Sequence, residues 1–220
     1  MNFAVEIIVW ITYFISLYFS VFLLLVFLDT KELFKKEKSS HRLSRIPLVS
    51  IIIPAYNEEK TILRTLQSIN NVNYPKDKLQ VLVINDGSQD HTASLVNNYI
   101  RNKPHFTLLS QKNKGKAASL NKGLRMAQGE FFVCLDADSF VEPFTLRKML
   151  SLYYQQNDPQ LAIITPAMKV YQPHNILQKI QWLEYIVMIF FGRLSSHLDA
   201  LYVAPGPFSL YKPLAFSGRI

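Results

Sequence analysis

Cysteine is nearly absent: Cys134 is the one thiol in 220 residues, so no internal disulfide can form. It lies in an apolar run and reads as an inert buried thiol. Glycine is sparse too, at seven residues, and neither a glycine-rich Walker loop nor a GxGxxG pattern occurs, which weakens P-loop and dinucleotide-cofactor readings. There is no internal repeat and no low-complexity tract. Disorder is excluded by an apolar content of 49%. The length allows one full α/β core plus an anchor and hardly two domains.

Charge is missing where it matters most. Residues 7–28 carry no charged side chain, and a run of roughly 20 apolar residues is what a helix needs to cross the hydrocarbon core. Trp10 near its start fits an interfacial anchor. A cleaved signal peptide would need a basic segment ahead of the run, but the first basic residue is Lys31, so a membrane anchor is the preferred reading. Residues 31–45 hold six basic and two acidic side chains, half of the chain's net charge of +8. Positive residues stay on the cytoplasmic side, so the N-terminus is expected outside and the remainder in the cytosol of a cell-membrane protein. This basic stretch reads as attraction to anionic membrane lipids, with no nucleic-acid face implied. The expected organisation is a transmembrane helix over 1–30, a basic juxtamembrane linker over 31–47 and one domain over 48–220.

After Pro47, short β-branched runs alternate with helical patterns. Strands are predicted at 48–53 (LVSIII), 79–84 (LQVLVI), 106–109, 131–135 (FFVCL) and 161–165, with helical faces between them, such as Ile62, Leu63, Leu66 and Ile69. Asp90 or Thr92 would sit near the cap of the second of these helices. The rhythm implies an α/β fold with a mostly parallel sheet and helices on both faces, its strand C-termini along one ligand-binding edge. Residues 175–194 differ. Ile176, Ile180, Leu183, Val187, Phe190 and Leu194 form a long apolar face too short to span a bilayer, which leaves a helix on the membrane surface or a core helix open.

Polar clusters follow four of the strands. Asp136 and Asp138 end the FFVCL strand, and two carboxylates so close repel unless a cation joins them; hard oxygen ligands suit Mg²⁺ or Mn²⁺. Singly, such a pair is as readily a helix cap or turn. Pro54, Ala55, Tyr56, Asn57 and Glu58 follow the first strand, where Tyr56 can stack on a base; an ordinary strand-to-helix turn is the alternative. Asn85 and Asp86 precede Gly87-Ser88, and Asp86 can accept hydrogen bonds from a base or ribose, though a turn explains the pattern as well. Lys116 opens a helix where it can reach a diphosphate. Four such loops at one predicted edge form a site.

The segments VSIIIPAYNEEKTI (49–62), VLVINDGSQDHT (81–92) and NKGKAASLNKGL with GEFFVCLDADSF (113–140) resemble family-2 glycosyltransferases of the GT-A fold in order, spacing and residue type. The resemblance covers 48 to about 212. It implies that Pro54, Ala55, Tyr56 and Glu58 form the nucleotide-binding first loop, that Asp86 contacts uracil, that Lys116 contacts the diphosphate, and that Asp136 holds the sugar nucleotide while Asp138 ligates the metal. QWLEY (181–185) and GPFSLYK (206–212) are similar to the membrane-bound processive synthases of poly-N-acetylglucosamine, hyaluronan, chitin and cellulose, with Gly206, Pro207 and Phe208 on the acceptor side. The implied activity is metal-dependent, inverting transfer from a UDP-sugar to a glycan or lipid acceptor. In the family the base is an aspartate a few dozen residues beyond the GPFSLYK-like segment, so it is expected past Ile220, and no catalytic residue is identified within the chain. Asp199 fits no motif. A sugar nucleotidylyltransferase would carry a glycine-rich basic loop where this chain has PAYNEE; a non-catalytic, membrane-tethered UDP-sugar-binding remnant is the other alternative.

Overall fold

A computed structural model describes residues 3–30, 43, 45–198, 200 and 207–212. They divide into two compact units, one made of two long helices and the other of a sheet with its covering helices.

In the first unit, α1 runs uninterrupted over Phe3–Thr30. At 1.5 Å per residue it is about 42 Å long, more than the roughly 30 Å of a bilayer core. Its stretch Phe3–Asp29, of mean hydropathy 2.4, is the one described helix long and apolar enough to cross a membrane. The hydroxyls of Thr12 and Ser20 donate to the carbonyls of Ile8 and Ser16, each at 2.8 Å, so these polar groups are satisfied within the helix. The other helix, α6, spans Ile176–His197 and opens with a capping box. Gln178 N donates to Asn175 Oδ1 at 2.8 Å while the Gln178 side chain accepts from Asn175 N. Phe190 packs on Phe27 at 5.7 Å, and His197 meets Asp29 at 3.2 Å. A core helix would bury its apolar face, yet α6 buries Leu194 alone and leaves Ile176, Ile180, Leu183 and Val187 exposed.

The second unit is built on β1 (Val49–Ala55), β2 (Leu79–Asn85), β3 (Phe106–Ser110) and β4 (Phe131–Cys134), all parallel to one another. The sheet order is β3-β2-β1-β4-β6-β5, where β5 is Ile163–Ile164 and β6 is Leu210–Tyr211. Helices α2 (Ile62–Asn70), α3 (Thr92–Ile100), α4 (Lys116–Met126) and α5 (Thr145–Gln156) connect and cover it. Val49, Ile51 and Ile53 join one large core with residues of α2, α3 and α5. On the opposite face Ile52, Leu82 and Ile84 pack against Leu120 and Leu124 of α4. This clean division by alternate residues follows from the two-residue side-chain period of a strand.

The sequence pattern predicts a fifth parallel strand over 161–165. The structure instead has a two-residue β5 (Ile163–Ile164) paired antiparallel with β6 (Leu210–Tyr211), and β6 sits between β5 and β4, antiparallel to both. The sheet remains mostly parallel.

Helix α4 comes close to β1 because residue 123 has no side chain. A Cβ there would stand 2.3 Å from Ile52 Cγ2, deep in the core. Gly123→Ala should therefore destabilise the fold: overpacking costs about 1–3 kcal/mol, against about 1 kcal/mol gained from helix propensity. Chemical denaturation checks this, and an unchanged midpoint would mean that α4 does not press on Ile52.

Candidate active site

Register brings the site together. Ala55 stands beside Asn85, and Asn85 beside Ser110, so β1, β2 and β3 end at one level, with Ile52 of β1 opposite Cys134 of β4. The chain winds from β1 to β3 in one direction, then returns to place β4 on the other side of β1. Ligands of open α/β sheets bind at that reversal, outside the strand C-termini.

A pocket of about 270 Å³ opens there. Pro54, Ala55, Tyr56 and Glu58 line it from the end of β1 and the loop after it, Asp86 from the loop after β2, Lys116 and Ser119 from α4, and Asp136, Ala137 and Asp138 from the loop after β4. Every nucleotide-sugar and metal candidate from the sequence thus borders one cavity. Tyr56 is exposed, with its ring free to meet a planar ligand.

The first two loops are tied to each other. Glu58 N donates to Thr92 Oγ1 at 2.8 Å, Glu59 N to Asp90 Oδ2 at 3.1 Å, and His91 N to Glu59 Oε2 at 3.1 Å. Asn57, in the left-handed region at φ 55°, accepts from Gln89 N at 2.9 Å, and its own N donates to Ser88 Oγ at 3.0 Å. Asp90 also takes Thr92 N on Oδ1 at 2.9 Å, at the entry of α3, whose cap position is His91.

Asp86 is 4% exposed, and both of its oxygens hold the third loop. Oδ1 accepts from Gln111 Nε2 at 2.7 Å and from Lys114 N at 3.0 Å; Oδ2 accepts from Gly115 N at 2.8 Å. Burial alone would raise its pKa, but these bonds and one from Ser119 outweigh it and hold the carboxyl below its ordinary value. Gly115 has φ 87°, which a side chain would strain, and it caps α4 at Lys116. Gln111 was not visible as a site residue in the sequence, because its contact spans two strand ends.

Lys116 Nζ lies 2.5 Å from Asp136 Oδ1. Asp138 is exposed and accepts from Ser139 Oγ at 3.2 Å. Among the described residues no cluster of three or more His, Cys, Asp or Glu could hold a metal by itself. Asp136 and Asp138, one residue apart on the pocket lining, supply hard oxygen donors of the kind that a divalent cation such as Mg²⁺ or Mn²⁺ would take. Behind them, burial first and the neighbouring Asp136 second push the Cys134 thiol up to about 11, so it stays protonated and unreactive at neutral pH.

Of the acceptor-side candidates, Gly206 lies outside the described residues. Pro207 is half-buried, and the Phe208 ring is in the main core. Phe208 N donates to Cys134 O at 2.6 Å.

With this geometry in place, the comparisons become specific. Residues 50–216 match the model of glycosyl transferase family 2. A poly-beta-1,6-N-acetyl-D-glucosamine synthase of Staphylococcus epidermidis is 30% identical over 206 residues, 92% of this chain and 48% of that protein. The synthase of that name from Staphylococcus aureus strain COL is 33% identical over 168 residues, 76% and 40% of the two chains. The chain thus spans about half the length of the curated relatives it matches. Among solved structures, the mannosyltransferase PcManGT from Pyrobaculum calidifontis, in complex with GDP-Man and Mn²⁺, aligns with a TM-score of 0.66 and 26% identity over 92% of this chain and 56% of that one. Residues 1–349 of S. aureus TarS, in complex with UDP-GlcNAc, align at 0.52 and 28% over 58% and 36%.

The tie between the first two loops predicts a pH dependence. For Asp90, burial raises the pKa, but hydrogen bonds from Thr92 and from Glu59 N prevail and hold it below its ordinary 3.8. Its contribution to stability is therefore complete above pH 3.8 and is lost as pH falls below that value. Asp90→Asn should be less stable than the parent at pH 7, with the gap narrowing towards pH 3. Urea melts at both pH values decide; a gap independent of pH would take the effect away from this carboxylate.

Proposed function

We infer that this chain, which belongs to glycosyl transferase family 2, carries the donor-binding part of a membrane-anchored enzyme that transfers N-acetylglucosamine from its UDP derivative to a growing glycan. The observation that carries the reading is the single pocket at the chain reversal, to which four separate loops each bring a residue suited to one part of a nucleotide sugar. The relatives that make poly-N-acetylglucosamine and the TarS complex with UDP-GlcNAc support the choice of sugar and nucleotide.

In this reading Tyr56 stacks on the base. Asp86, fixed by Gln111 and the amides of Lys114 and Gly115, shapes the floor beneath base and ribose. Lys116 leaves Asp136 for the diphosphate, aided by the N-terminus of α4. Asp136 and Asp138 would hold a divalent cation that, when bound, neutralises UDP as it departs. An acceptor hydroxyl, giving up its proton to a general base that is not among the donor-pocket residues, attacks the anomeric carbon from the face opposite the leaving oxygen; the bond to the diphosphate breaks, UDP departs, and configuration inverts. The acceptor is a glycan or a lipid.

Two carboxylates are too few to retain a cation alone, so metal and nucleotide should bind together. In calorimetry on the full chain in detergent, Mn²⁺ should tighten UDP binding at least about tenfold, no less than the loss of a ligand's hydrogen-bond partner costs a metal site. Asp138→Ala should abolish that tightening. Equal tightening in the variant would remove the cation from Asp138.

Helix α1 crosses the membrane with the basic residues 31–45 on the cytosolic side and membrane lipids as its partners. Trypsin added outside intact cells should spare this lysine-rich stretch, whereas trypsin added to inverted vesicles should cut it. The reverse pattern would invert the topology.

A further inference from the structure

Helix α2 presents four buried positions to the interior: Ile62, Thr65, Leu66 and Ile69. Their spacing is that of an apolar stripe, and one of the four is polar. Thr65 is 1% exposed. A threonine inside a helix commonly turns its hydroxyl back to the carbonyl four residues earlier. Here the Thr61 carbonyl already accepts from Thr65 N, and Thr65 Oγ1 reaches out of the helix to donate to Ala137 O at 2.7 Å.

Ala137 is the residue between Asp136 and Asp138, and it is itself buried. A buried carbonyl needs a donor. Its direction also sets the plane of the peptide that leads into Asp138, and so the direction in which that carboxylate leaves the chain. One turn further along α2, Ser68 Oγ accepts from Val141 N at 3.2 Å. The Arg64 guanidinium lies 4.5 Å from the centre of the Phe140 ring. Three residues of one helix thus grip the loop of the paired carboxylates at 137, 140 and 141. The same helix is anchored to the first pocket loop, since Glu58 O accepts from both Thr61 N and Ile62 N.

We propose that Thr65 is a positioning residue for the Asp136 and Asp138 pair: its hydroxyl fixes the intervening peptide, so that cation affinity depends on a helix rooted in the first pocket loop. This rests on the reading that the two aspartates hold a cation together with the nucleotide.

The test uses the full chain in detergent with UDP and Mn²⁺ as probes. Thr65→Val keeps the shape and removes the donor; Thr65→Ser keeps the donor. Three quantities are read: the Mn²⁺ concentration for half-maximal UDP binding, UDP affinity in EDTA, and the melting temperature. Outer partners of metal ligands typically change metal affinity by about 10–100-fold. Thr65→Val should raise the Mn²⁺ requirement about tenfold while leaving affinity in EDTA within about twofold, and Thr65→Ser should restore it. A valine variant that melts earlier but needs no more Mn²⁺ overturns the positioning role and leaves an ordinary core contact. A serine variant that fails to restore the requirement overturns it as well. A parent chain indifferent to Mn²⁺ overturns the underlying cation reading, and with it the proposal. Thr65→Ala serves the same comparison if valine prevents folding.

Discussion

Parallel pairing on both sides of β1 is the constraint from which the rest follows. A parallel neighbour can be reached only by a crossover that returns to the starting edge. Each crossover therefore begins with a loop at the C-terminal edge, and β1, flanked by β2 and β4, is where the direction of winding reverses. The pocket lies at that reversal. Pro54 and Ala55 reach it from β1, Asp86 from just beyond β2, and Asp136 from just beyond β4. The core enforces this register, because Ile51, Ile52 and Ile53 are all fully buried, alternately on the two faces. A slip of one residue would exchange the faces and scatter the loops.

Two carboxylates in the pocket are held in opposite ways. Asp86 is buried and bonded to the side chains of Gln111 and Ser119 and to two backbone amides, and leaving it unpaired would cost about 1–3 kcal/mol or more. It is part of the frame. Asp136 faces Lys116 in a pair whose side chains are 33% and 62% exposed. An ion pair of that exposure contributes roughly 0–1 kcal/mol, so exchanging it for a diphosphate on one side and a cation on the other costs little. The pocket combines a fixed buried carboxylate with one loosely held pair of charges, and in the function proposed above it is that pair which yields to a diphosphate and a cation.

Much of this was legible from the sequence. The β-branched runs at 49–53 and 79–84 mark central strands, and the polar clusters after them mark the edge, because both signals are local. What was not legible depends on contacts between distant segments. The run at 161–165 marks a strand but neither its antiparallel direction nor its place beyond β6, and the two-residue β6 has no periodicity to read; β6 pairs with the open edge of β4 and with β5 as residues 207–212 return to the sheet. Gln111 looks like any loop glutamine until β3 brings it beside Asp86. Thr65 shows only as a polar residue in an apolar stripe, a weak signal without its partner on the far side of the sheet edge. The pattern puts Asp90 or Thr92 near the cap of α3; the cap position is His91, and the second oxygen of Asp90 holds Glu59 N and joins two loops.

Phe208, which the sequence resemblance places on the acceptor side, is bonded to the end of the strand that leads to Asp136 and Asp138. Its backbone has φ 61°, a conformation that costs a bulky residue of order 1–3 kcal/mol and persists only where the surroundings impose it. Two contacts impose it here. The ring is 3% exposed within the main core, and the amide donates to Cys134 O, the last residue of β4. An aromatic ring so deeply buried presents no side-chain surface to a glycan. What the turn at Phe208 does is bind the end of β4 from the side opposite β1, two residues before Asp136. The carboxylate pair is then anchored on three sides: by β1 through the Leu135 amide bonded to Ile52 O, by α2 through Thr65, and by the entry to β6 through Phe208. Any acceptor contact in this region would have to come from residues beside Phe208, and the strain at φ 61° is the cost of turning the chain there while its ring stays in the core.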